Sequence, residues 1–204
     1  MAKAFRRKGD HYVARMDHME RTVVAGLMEQ TRNLLAPPER VPTGDPFEDL
    51  VAGLGVSLAA VDQLPETLDD VQQRDPALER LLPTAHRGDD QVAAEFRRLT
   101  EHDLRDRKAT NLATAIDALR SAAGDRLQLT TPQAQAMVVA LTDTRLLLGE
   151  RLGLRTDDDA ALLEARLAGL DADDPTIYAV SYYDFLTWFQ ESLTGALMGR
   201  GLFG

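Results

Sequence analysis

The sequence predicts a mainly α-helical fold: a helical bundle carrying a small antiparallel β-sheet, built as a single helical domain over residues 1–204. Three observations predict it. After Asp17, apolar residues recur at helical spacing, and capping residues mark the starts of those runs. Strand-like alternation is confined to the first sixteen residues and to a short run at Leu127. The composition, 44% hydrophobic and 27% charged over 204 residues, suits a chain that buries roughly 70% of its unfolded surface.

The elements follow in order. Ala4 to Arg7 and His11 to Met16 flank Lys8-Gly9-Asp10, whose glycine supplies the positive φ of a hairpin loop, so a hairpin opens the chain. Asp17 with Glu20 has the spacing of a capping box, and Met19, Val23, Val24, Leu27, Met28, Leu34 and Leu35 follow on one helical face up to Pro37-Pro38. Asp45-Pro46 starts a short helix weakened by Gly53 and Gly55, and Asp75-Pro76 starts another over Ala77 to Leu82. Asp90 to Ala123 reads as a long helix with a break offered at Thr100, ended by Gly124. Leu127 to Thr130 is placed as a third strand beside the hairpin. Thr131-Pro132 begins the central helix, apolar on most faces and ending at Gly153. A short helix covers Asp158 to Leu167, and Ser181 with Asp184 gives the capping spacing for a last helix reaching Leu197.

Composition narrows the chemistry. With no cysteine, the chain has neither disulfides nor thiolate catalysis nor a Cys-based zinc site. The N-terminus meets charge before any apolar run, and the longest uncharged stretch, Leu50 to Val61, is too short to cross a bilayer, so the expected place is the cytoplasm, away from membranes. Gly53-Leu54-Gly55 lacks the third glycine and the preceding strand of a dinucleotide loop. No phosphate loop or nucleophile elbow occurs. The four histidines are scattered, and the acidic run from Asp171 lacks the glycine and final glutamate of a calcium loop. The expectation is therefore no catalytic, cofactor-binding or metal-ligating residue, with carboxylates gathered by folding as the enzymatic exception.

Charge is polarised. The net charge is −10, yet residues 1–21 carry six Lys or Arg against three acids, a net of +3 that leaves −13 elsewhere. Residues 157–174 hold seven acids against Arg166. Arg6, Arg7, Lys8 and Arg15, interleaved with Phe5 and Tyr12, could grip a phosphate backbone as a basic ribbon. Cationic edge strands also guard against sheet-to-sheet aggregation, and the acidic remainder argues against nucleic acid. Arg145 falls on the stripe of Val138, Leu141, Leu148 and Leu152, so it should be partly buried with a carboxylate or carbonyl partner, an ion pair being the default. Trp188 lies off its helix's apolar stripe, on the side of Thr187 and Glu191, either as a second packing face or as an anchor for a partner.

Several segments together resemble a known family: Phe5-Arg6-Arg7, Tyr12-Val13-Ala14-Arg15, Ala94 to Thr100, Leu141-Thr142-Asp143-Thr144-Arg145-Leu146 and Leu186 to Leu193. The resemblance is to an actinobacterial domain-of-unknown-function family, number 2017, and it spans nearly the whole chain. Thr142 stands where that family usually has Asn. The resemblance implies a cytosolic actinobacterial protein whose gene usually lies beside that of the ClpS adaptor, and it implies no catalytic residue. The resulting reading is a non-enzymatic helical protein-interaction module, regulatory or adaptor-like in Clp-linked protein turnover, with an unidentified protein partner and a homodimer as the commonest self-arrangement. Its interaction candidates are Trp188, Thr187, Arg145, Arg6, Arg7 and Lys8. The competing reading is a nucleic-acid-binding transcriptional regulator using the basic hairpin.

Overall fold

Alternation and one tight turn build the sheet. In the computed structural model, which describes residues 2–36, 75–83, 90–171 and 174–199, strand β1 (Lys3–Lys8) pairs antiparallel with β2 (His11–Arg15). Gly9 turns the chain between them at a φ of 61°, which a side chain would strain. β3 (Arg126–Leu129) adds to β2, giving the order β1-β2-β3. Phe5, Tyr12, Ala14, Leu127 and Leu129 are buried on one face, as a period of two requires, and the other face meets solvent.

The helices start where their caps dictate. Helix α1 (His18–Leu35) opens on a reciprocal box: Glu20 N–H donates to Asp17 Oδ1 at 2.8 Å and Asp17 N–H to Glu20 Oε2 at 2.9 Å. Asp75 caps α2 (Pro76–Leu81) by accepting from Ala77 N–H. Helix α3 (Asp90–Ser121) runs unbroken through Thr100. No glycine or proline interrupts those residues, and a β-branched residue alone lowers helix propensity too little to break the run. Thr130 and Gln133 cap α4 (Thr131–Arg151), and α5 (Asp157–Leu167) follows. The start proposed at Asp45 lies outside the described residues.

The last helix needs a correction. α6 (Pro175–Leu197) begins before Ser181, with Asp174 accepting from Thr176 N–H at 2.7 Å and Pro175 in the first turn. Ser181 sits inside it, its hydroxyl donating to Ile177 O at 2.9 Å. A serine that can bond back one turn is tolerated mid-helix, so capping spacing alone does not locate a start. Asp174-Pro175 carries the same signal as Asp75-Pro76.

α4 is the central element, packed against α1, α2, α3 and α6. Met28, Leu112, Ile116, Leu119, Met137, Leu141, Leu186 and Phe189 are at most 1% exposed, each contributing about 1.5–3 kcal/mol by leaving water. α6 also covers β1, where the Phe5 and Phe189 rings lie 4.8 Å apart. Arg21 is buried too. Its guanidinium donates to Met16 O, Gly124 O and Ala122 O, so it satisfies carbonyls just beyond α3 and ties α1 to the approach of β3.

Candidate functional site

Arg145 is half-buried between α4 and α6, and its partner is a correction to the expected ion pair. Its Nη1 donates to Gln190 Oε1 at 2.9 Å, and Gln190 Nε2 donates to Thr142 Oγ1 at 2.7 Å. The guanidinium also lies 5.3 Å from the centre of the Tyr183 ring. One amide thus clips two positions of α4 to α6 without the desolvation of a second charge. Arg145 Nε stays buried with no hydrogen-bond partner.

Trp188 is half-buried against the core, its ring 5.8 Å from that of Phe185 and 6.1 Å from that of Phe189. The Thr187 hydroxyl donates to Tyr183 O. The large apolar side chains most open to solvent among the described residues lie elsewhere: Met19, Leu162, Tyr178 and Met198.

The sequence reading missed a buried charge. Asp143 on α4 is 1% exposed, and Lys108 Nζ on α3 donates to its Oδ1 at 2.5 Å, while Oδ2 has no partner. Burial raises the Asp143 pKa above the ordinary carboxylate value, and the hydrogen bond and charge of Lys108 pull it back down. Two turns on, Glu150 pairs with Arg80 at 3.0 Å and Arg155 at 2.6 Å, and Arg151 pairs with Asp75. These pairs fasten α2 and the connection after α4. Along one helix, Asp143 and Glu150 stand about 10 Å apart, too far to share a proton. Among the described residues no cluster of three His, Asp or Glu is placed to hold a metal ion. Between α1 and α4 lies an open groove of about 280 Å³, walled by Leu27, Leu34, Leu147 and Leu148, with Gln30, Thr144 and Arg151 also lining it.

The hairpin cations resolve into faces. Register places Lys3 opposite Arg15, Arg6 opposite Val13 and Lys8 opposite His11, all on the solvent side, whereas Arg7 stands opposite the buried Tyr12 at the loop end. Arg7 Nε donates to Gly9 O. On β3, Arg126 opposes Arg15 and Gln128 opposes Val13, so the outer face gathers Lys3, Arg6, Lys8, Arg15 and Arg126. Arg126 escaped the sequence reading. The alternation of Arg126-Leu127-Gln128-Leu129 carries the signal, because both leucines face inward.

This architecture defines a mainly α protein in which a bundle carries a three-stranded antiparallel sheet. The chain belongs to the family described as a domain of unknown function, DUF2017, whose model matches residues 2–197. Among curated proteins it is similar to those named oxidative stress regulator AosR in Mycobacterium bovis and Mycobacterium tuberculosis. Each is 32% identical over 138 residues, covering 61% of this chain and 59% of the relative. The chain therefore spans less than two thirds of the length of these relatives. No solved structure matches. Among the described residues no helix is long and apolar enough to cross a membrane.

Proposed function

We propose that this chain is a non-enzymatic regulatory module that works by contact with another macromolecule. The observation that supports this most is the use of its buried charges. Arg21, Asp143 and Glu150 are the buried acidic and basic side chains among the described residues, and each holds one segment against another. The groove between α1 and α4 is lined by leucines, Gln30, Thr144 and Arg151, with no histidine or carboxylate in its walls for acid-base work.

The likeness to proteins named oxidative stress regulators supports a regulatory role. These 204 residues contain no cysteine, so a thiol switch is not how this chain would sense an oxidant. The finer reading, an adaptor-like role in Clp-linked protein turnover with self-association as a homodimer, rests on the gene neighbourhood that the family resemblance implies. Deleting the gene and challenging cells with peroxide tests the proposal. Altered protein abundances, restored by the intact gene, are expected, together with capture of a Clp component by the purified chain. A metabolite that accumulates in the deletion strain and is consumed by the purified chain would sink the non-enzymatic reading.

A further inference from the structure

The outer face of the sheet departs from what folding alone selects. Lys3, Arg15 and Arg126 are register partners across β1, β2 and β3, three like charges in one row. Directly opposed like charges on neighbouring strands weaken pairing. Arg6 and Lys8 stand on the same face, and all five side chains are exposed. None of the five joins an ion pair among the described residues. The nearest acids along the chain, Asp10 in the hairpin loop, Asp17 at the cap of α1 and Asp125 ahead of β3, lie outside the strands.

Edge protection accounts for cations on β1 but not for Arg15, because β2 is the central strand. The edge of β1 is in any case engaged, with the Phe5 amide donating to Ser192 Oγ on α6. The net charge of −10 also misleads as a guide to this face. α4 leads from β3 towards the acidic residues of α5, and its 21 residues extend about 32 Å. That is about four times the ~8 Å Debye length at physiological salt, so the acidic end is screened from the sheet.

The geometry points to this face as a binding surface for the phosphodiester backbone of a nucleic acid. The nature of the face decides between partners. A protein interface has a core depleted of charge and anchored by aromatic side chains. Here Val13 is the one large aliphatic side chain and it is half-buried, while cations make up most of the rest. Gln128 is the amide placed to meet a base edge, so binding follows the backbone and is nearly indifferent to sequence. The inference goes beyond the regulatory reading and stands or falls apart from it.

The test is a titration of the full chain against a short labelled DNA duplex and its single strand, between about 50 and 200 mM salt. Five phosphate contacts give a log-log salt slope near −4.5 for duplex and about −3.5 for single strand, and a roughly 500-fold loss of duplex affinity across that range. Arg15→Gln with Arg126→Gln should make the duplex slope shallower by about 2 and weaken binding at low salt by about tenfold or more. The same pair should leave the melting temperature equal or higher, since it relieves the charged row. Arg107→Gln with Arg166→Gln removes as much charge from α3 and α5 and should change affinity less than about twofold. A salt slope that the sheet variants leave unchanged overturns the proposal. So does tighter binding to poly-glutamate, which would mark an acidic protein segment as the ligand, or to phosphatidylserine vesicles, which would mark a membrane surface.

Discussion

Single side chains hold this molecule at a few polar points inside an apolar core. Lys108 and Asp143 are the sharpest case, because removing the lysine strands a carboxylate that is 1% exposed. Lys108→Met should destabilise the fold by about 3–5 kcal/mol at neutral pH, whereas Lys108→Met with Asp143→Leu should recover most of that loss. The pH dependence has a definite sign. Burial raises the Asp143 pKa in the folded state above 3.8, so folded protein binds this proton more readily than unfolded chain, and stability from this group falls as pH rises through the raised value. Without Lys108 the rise is larger, so the deficit of Lys108→Met should shrink on going from neutral pH towards acid, read by urea unfolding at each pH. Trp188→Ala should lower stability by about 2–3 kcal/mol, less than a full core truncation, because the ring is half-buried against Phe185 and Phe189. Light scattering on that variant separates packing from association: unchanged stability with lost self-association would make Trp188 a partner anchor.

At the scale of elements, what could be read in advance was local and what could not was positional. Asp17 with Glu20, Asp75-Pro76 and Thr131-Pro132 announce helix starts because the capping side chain and the N–H that donates to it lie within four residues, and the structure forms each of them. Ser181 misled for the converse reason, its hydroxyl finding a carbonyl one turn back. The carboxylate of Asp143 and the charged row of Lys3, Arg15 and Arg126 depend on which helix and which register the fold chooses, and no spacing within one segment carries that. Arg145 was legible as half-buried, but not its amide partner, which comes from 45 residues away. Gly26 tests element-level energetics directly. It sits inside α1 with ordinary φ, and an added Cβ would meet nothing within 4 Å. Gly26→Ala should therefore raise stability by about 0.5–1 kcal/mol, seen as a higher urea midpoint with an unchanged slope. Gly149 differs, since a Cβ there would lie 3.4 Å from Tyr183 Cε2, where α4 and α6 approach closely.

Across the whole molecule, stability is unevenly spread. α5 presents most of its side chains to solvent, with Leu162 67% exposed, while α4 and the inner face of the sheet are buried. Amide exchange should show α5 opening well before α4 and β2, whose protons should wait for global unfolding; equal protection in all three would contradict this picture. The meeting of the first strand with the last helix reaches further still. Phe5 donates its amide N–H to Ser192 Oγ, 187 residues later, and its ring lies tilted against that of Phe189. A ribosome delivers β1 well before α6. Until α6 emerges the hairpin therefore waits without the cover of Phe189 and with an unsealed edge, so a nascent chain halted short of residue 189 is expected to be a client for chaperones however complete its other helices are.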